Sequence, residues 1–333
     1  MNGRLQSELS IELRNDDKAA TMPSYVFDWY MNLKASRKTA ATCRDYLRKV
    51  NNFLSYINAN VAKVTTDDIT ERKVTGYFIS IQRKVVNGEV MSTSDSYQST
   101  VWSCLDNFLG YLLDHGMIER NYIRGVSKPR NHDLDRINEN RILLTEDDFK
   151  RILSAVNCES DSKLQKRDKA LLLLFMNTGI RRTAMSNVMV SDIDFESRTL
   201  RIIDKGTKRH EYVLNTELIR TLNDWLSVRE VVLRKNNHKA KDEGYLFVTA
   251  NGGGMSDETI SYTVEKYTKI ALGHSVSPHK LRSGYCSILY NKTGDIEFVR
   301  RAVGHSRVDT TQRYIVTKGS EKEKAAEIME GLL

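Results

Sequence analysis

Proline, cysteine and long apolar runs are all scarce in this chain of 333 residues, and each scarcity excludes something. The longest strongly apolar run, Ala170 to Met176, falls far short of the roughly 20 residues that a membrane span needs. The N-terminus, MNGRLQSELSIELRNDD, is polar and acidic where a signal peptide would carry a basic patch and an apolar core. Neither secretion nor membrane insertion is expected, so the chain reads as cytoplasmic. Its four cysteines, Cys43, Cys104, Cys158 and Cys286, are spread too widely for a CxxC pair or for metal-ligand spacing, which predicts reduced thiols and no metal site. Gly252-Gly253-Gly254 lacks a following GK[ST] and makes a turn, not a phosphate loop. No internal repeat is visible.

What is present is ample apolar material and an excess of positive charge. Hydrophobic residues make up 40% and charged residues 28%, enough for packed cores and outside the profile of a disordered protein. The length suits two domains. Basic residues outnumber acidic ones by 51 to 43, and the resulting +8 is shared evenly, +4 on either side of Arg130. That favours a polyanionic partner touched by both halves, although charge alone equally describes a solvated basic surface.

The three prolines, Pro23, Pro129 and Pro278, each fall at a boundary between patterned segments, as expected of a residue that breaks helices. After Pro23, the residues Tyr25, Val26, Trp29, Tyr30 and Leu33 repeat at helical spacing, and Tyr46, Val50, Phe53, Leu54 and Ile57 do so again. A third helix is predicted through Val74 to Val85, and a fourth from Tyr97 to His115 with Trp102, Leu105, Phe108, Leu109 and Leu112 as its apolar stripe. Residues 21–128 therefore read as a small helical domain, preceded by an extension over 1–20 that is too short for a further folded domain. The polar stretch SKPRNHDLDRINENR supplies a linker over 129–142.

A second domain, 143–315, opens on Thr145-Glu146-Asp147-Asp148, an N-cap and acidic first turn ahead of Phe149, Ile152, Leu153 and Val156. Residues 168–177 form a buried helix that Gly179 ends. The period then changes to alternation through 192–195, 199–203 and 211–214, which predicts a small antiparallel sheet with Lys205-Gly206-Thr207-Lys208 at a hairpin tip. Helical patterning returns from Ile219. The expected fold class is mainly α with a small antiparallel β-sheet in the second domain.

Chemistry gathers towards the C-terminal end. Ser277-Pro278 is a helix start, and it places His279 and Arg282 on one face near the helix N-terminus, where free N–H groups and the dipole favour an anion such as phosphate. Taken alone, an HxxR on a basic surface is a solvated pair. Gly294 ends that helix, Asp295 caps a short one, and Gly304 ends it in turn, ahead of His305. Asp309 can cap a last short helix that presents Tyr314. Asn177-Thr178-Gly179-Ile180-Arg181-Arg182 turns the chain after the buried helix and holds an arginine on a rigid base.

In chain order these pieces run TGIR, a lysine at a hairpin tip, HKLR, GH and Tyr, and that ordered set resembles the tyrosine recombinases, or phage integrases. The resemblance covers most of residues 143–315. It implies a C-shaped DNA clamp, with 21–128 as the core-binding domain and 143–315 as an α+β catalytic domain. It makes Tyr314 the nucleophile, Arg181 and Arg282 the phosphate clamp, and Lys205 the general acid, with Lys208 as the nearby alternative, while His279 and His305 complete the site. The sequence departs from the family pattern at Ala184, where a glutamate is common, and at Ser283, where a histidine often stands.

These residue types suit the reaction. Forked, permanently charged arginines bind the extra charge of a phosphorane-like transition state better than the ground state, so neither a metal nor a cofactor is expected. A tyrosyl ester conserves the phosphodiester energy for attack by a second DNA hydroxyl, which water could not do. The expected function is site-specific recombination or integration through a 3′-phosphotyrosine intermediate. A type IB topoisomerase and a non-catalytic DNA-binding protein on the same scaffold are the alternatives. Residues 316–333 place Ala325, Ile328, Met329 and Leu332 at helical spacing, a tail helix that docks on its own domain or on a neighbour. The resemblance implies double-stranded DNA as partner, a homotetramer on two DNA sites, room for an accessory DNA-bending or directionality factor, and association with the nucleoid. The chemistry serves chromosome-dimer resolution, inversion and mobile-element movement alike.

Overall fold

The computed structural model describes residues 3–86, 88–129, 144–203, 209–235, 244–305, 308–312 and 329–330. Lys205, Tyr314, nearly all of the expected linker and all of the tail but Met329 and Glu330 lie outside them. The chain divides into two compact units, Met1–Ile137 and Asn138–Leu333, each with its own core.

The first unit contains helices α1 (Gly3–Ala20), α2 (Ser24–Ala35), α3 (Ala40–Ile57), α4 (Glu71–Ser80) and α5 (Asp95–Asp114). Local rules set their starts. Pro23 stands at the N-cap of α2, while Thr39, Thr70 and Ser94 each accept a backbone N–H three residues on. The expected stripes of α2, α3 and α5 pack together around Trp29, Phe53 and Phe108, all fully buried. The Trp29 and Phe108 rings meet edge to face at 5.1 Å, and the Trp29 indole N–H donates to Asn107 Oδ1 at 3.0 Å.

Two points add to or change the sequence reading. The extension contains a helix, residues 3–20, that joins the bundle: Ala19 is buried and Asn15 donates to the Ala40 carbonyl at 2.9 Å. The Tyr30 hydroxyl and the Lys34 ammonium both bond to Asp16. The helix expected through Val74 to Val85 ends at Ser80, and a two-stranded antiparallel hairpin follows, β1 (Arg83–Val86) and β2 (Glu89–Ser92), turning at Gly88 with φ 85°. Val85 and Val90 face each other across it and stay exposed, so no core enforces a helical period there.

The second unit runs α6 (Glu146–Asn157), α7 (Ser162–Thr178), α8 (Arg182–Met185), β3 (Ile193–Asp194), β4 (Thr199–Ile203), β5 (Arg209–Val213), α9 (Thr216–Lys235), α10 (Asp257–Leu272), α11 (Pro278–Thr293), α12 (Ile296–Ala302) and α13 (Val308–Gln312). The sheet is antiparallel in the order β3-β4-β5. Thr145 and Asp148 form the capping box that starts α6. Ala170 to Met176 are buried without a break, which makes α7 the central helix of the unit. A buried polar chain ties α7 to α10: Arg167 Nε donates to Asp168 at 2.8 Å, and the Tyr267 hydroxyl lies 2.9 Å from Asp168 and 3.0 Å from Glu159. Among the described residues no helix is long and apolar enough to cross a membrane.

Candidate active site

The described candidate residues lie at or near helix termini. Gly179 caps α7 in the left-handed conformation, with φ 57°, and its N–H closes on the Phe175 carbonyl at 2.8 Å. A Cβ there would come within 2.5 Å of the Tyr285 ring, so conformation and space both demand glycine. The turn is fixed further by Ile180, which is fully buried, and it delivers Arg181 half-buried at the N-cap of α8. Ala184, one turn on, is buried in the core of the unit.

Pro278 opens α11 at its first position, as expected, although the Ser277 side chain makes no capping bond. His279 follows in the first turn and is exposed. Arg282 is on the same side of the helix but only 1% exposed, and its guanidinium holds three pieces of chain together. It donates to the Gly179 carbonyl, to the Val303 carbonyl at 2.8 Å and to His305 Nε2 at 2.9 Å. The TGIR, HKLR and GH motifs therefore meet at one buried group. Ser283 bonds back to the His279 carbonyl.

His305 is itself 2% exposed. Because a guanidinium can only donate, Nε2 must accept, so the imidazole is neutral and its proton is on Nδ1, 3.0 Å from Thr311 Oγ1. Burial, followed by the charges of Arg282, Arg181, His279 and Arg300, pushes its pKa down to about 3. Local desolvation and then Arg282, Lys280 and Arg181 also hold His279 below its ordinary value. The same two arginines act on both histidines, which places Arg181, His279, Arg282 and His305 in one electrostatic cluster. Carbonyls and a neutral imidazole solvate the Arg282 guanidinium without neutralising it, so the cluster stays cationic and suits a phosphate. Among the described residues, no group of three or more histidine, cysteine, aspartate or glutamate side chains converges as a metal site would require.

Three further residues belong to this site and carry no motif of their own. Thr311 is fully buried, and through His305 it ties α13 to the cluster three residues before Tyr314. Tyr212, on β5, is 6% exposed and close enough to Arg282 for that charge to oppose the rise in its pKa that burial causes. His210, also on β5, is half-buried with its ring edge-on to Tyr212 at 4.3 Å, and burial, opposed by its bond to the Ala302 carbonyl, lowers its pKa. Thr311 lay inside the expected last short helix and Tyr212 inside an expected strand, while His210 lay in neither.

These histidines give the second unit a pH signature. An unfolded histidine titrates near 6.5, whereas His210, His279 and His305 resist protonation when folded, so the unfolded chain binds more protons and stability falls as pH drops below about 6.5. For His305 the loss continues towards pH 3. Urea midpoints for this unit should decline between pH 7 and pH 5, where unfolded carboxylates are still ionised, and His305→Gln should flatten the slope. A midpoint unchanged over that interval would contradict the buried neutral imidazole.

Residues 143–320 match the phage integrase family model. Tyrosine recombinase XerC of Shewanella amazonensis is 30% identical over 213 residues, which cover 64% of this chain and 67% of that protein. Among solved structures, XerH site-specific recombinase bound to a palindromic difH substrate superposes with a TM-score of 0.64 at 18% identity, over 96% of this chain and 95% of that one. A lambda integrase tetramer bound to a Holliday junction gives 0.58 at 15% identity, over 90% and 78%. The last two likenesses concern the fold. With the family match spanning the cluster of Arg181, His279, Arg282 and His305, the chain belongs to the phage integrase family and is a tyrosine-type site-specific recombinase.

Proposed function

We propose that Tyr314 cleaves DNA by forming a 3′-phosphotyrosine ester, with the cluster around Arg282 as the phosphate site. The phenol oxygen bonds to phosphorus and the bond to the 5′-oxygen breaks. The phenol proton passes to His279, and Lys205 protonates the departing 5′-oxygen. Arg181, the more accessible guanidinium, takes the non-bridging oxygens, while Arg282 lends its permanent charge from the buried wall behind them. His305 holds both Arg282 and Thr311. The observation that carries this reading is the Arg282 guanidinium, whose bonds to Gly179, Val303 and His305 gather three separated motifs beside the helix that leads to Tyr314. Likeness to XerH on its difH substrate and to the lambda integrase tetramer supports double-stranded DNA as the partner and a homotetramer on two sites as the working assembly.

The test is to incubate the full chain with sheared DNA from its source in the presence of a chelator, recover DNA that stays attached after denaturation, and sequence the attached ends. Adducts should converge on one inverted-repeat site with protein on the 3′ side. Dispersed adducts would replace recombination with a relaxing activity, and their absence would leave a DNA-binding protein.

A further inference from the structure

β5 begins with Arg209 and His210, and His210 pairs with Ile202 of β4. Its ring leaves the sheet and packs against the end of α12. Nε2 lies 3.3 Å from the Ala302 carbonyl, and because a carbonyl can only accept, Nε2 carries the proton. The opposite edge of the ring faces the next turn: a Cβ on Gly304, whose φ is 68°, would lie 2.8 Å from His210 Nδ1. The imidazole therefore occupies the space that a Cβ on residue 304 would need, a seat that only a glycine leaves open. The next residue is His305, whose N–H closes on the Arg300 carbonyl at 3.0 Å and whose ring meets Arg282 and Thr311. From Tyr212 the ring is braced edge-on, and Tyr212 in turn adjoins Arg282. His210 thus touches the turn that sets His305 from one side and the tyrosine beside Arg282 from the other.

A purely space-filling role would suit a leucine or methionine at this position, but neither would donate to the Ala302 carbonyl. The contact has direction as well as bulk: it fixes both the height of the Gly304 turn above the sheet and the side from which His305 enters the cluster. We infer that His210 is a positioning residue for strand cleavage, locking β5 to the Gly304 turn and so holding the His305 imidazole in register with Arg282 and Thr311. The inference rests on the reading of Tyr314 as nucleophile only for its kinetic consequence. The coupling between His210 and His305 stands on geometry alone.

The experiment uses the full chain, its His210→Ala and His210→Gln variants, and a nicked duplex carrying the cleavage site found by end sequencing. Adduct formation is followed in single turnover over a range of DNA concentrations, and the histidine ring nitrogens are observed by 15N NMR. His210→Ala should slow adduct formation on the order of 10²-fold while half-saturating DNA changes by no more than about twofold, because misplacing a catalytic group costs rate rather than binding. The glutamine amide N–H reaches the same carbonyl, so His210→Gln should recover to within about tenfold of the unmodified chain. In the NMR spectra His305 should carry its proton on Nδ1 in the unmodified chain and in His210→Gln, and lose that fixed tautomer in His210→Ala. Equal slowing by alanine and glutamine, a wild-type rate in the alanine variant, or an unchanged His305 tautomer would each overturn the inference. If the unmodified chain formed no adduct, the reading of Tyr314 would fail, while the NMR comparison would still decide whether His210 positions His305.

Discussion

Arg282→Ala should abolish adduct formation and lower the stability of the second unit by several kcal/mol, because it leaves buried neutral acceptors without a donor. The guanidinium is 1% exposed, and its loss would strand the Gly179 carbonyl, the Val303 carbonyl and His305 Nε2 away from water. Each stranded group costs roughly 1 to 3 kcal/mol, and whole domains hold only about 5 to 15 kcal/mol, so this substitution approaches the limit of what the unit tolerates. Arg282→Lys separates the charge from the geometry. A single ammonium cannot span two carbonyls and an imidazole at once, so lysine should regain part of the stability but little of the cleavage rate. Calorimetry that resolves the two units checks the first statement, because the transition of Met1–Ile137 should not move. An alanine variant with an unshifted second transition would show that the three motifs are held together by something other than Arg282.

Much of this site was legible because its parts obey local rules. Gly179, Gly294 and Gly304 all stand at positive φ, and each was expected to end a helix. Thr145, Pro278 and Asp295 all begin one as their chemistry predicts, and the antiparallel sheet follows the alternating segments closely. What escaped depends on distant contacts. Nothing near His210 in sequence announces that it will meet Ala302, and nothing in HKLR says that its arginine turns inward instead of towards solvent. The first helix was missed for a different reason. Its leucines, Leu9 and Leu13, face outward, and polar bonds from Asn15 and Asp16 attach it to the bundle, so a search for an apolar stripe finds no helix. The Val74–Val85 reading took valines of an exposed hairpin for a continued helical face, although Asn87-Gly88 is a turn signal. Lys205 and Tyr314 lie outside the described residues, and their proposed roles rest on motif order along the chain.

Tyr314→Phe is the sharpest of these tests, since it removes one oxygen and leaves the ring. If the phenol oxygen is the nucleophile, adduct formation should fall on the order of 10⁶-fold, the scale seen when the nucleophile of a covalent mechanism is deleted, and so disappear from the assay. Binding should be preserved. Arg181, His279, Arg282 and His305 remain, and the bond from His305 to Thr311 holds the preceding helix without help from the hydroxyl. Half-saturating DNA should therefore stay within about twofold, because the phosphate contacts that dominate affinity are untouched. The chain holds fifteen tyrosines, so a second variant is needed to show that the loss is specific. Tyr262 is 69% exposed on α10 and serves that purpose: Tyr262→Phe should form adducts at the unmodified rate. Adducts from Tyr314→Phe at the unmodified yield would move the nucleophile to another residue and dissolve the proposed mechanism, while leaving the membership of the family and the architecture around Arg282 as they stand.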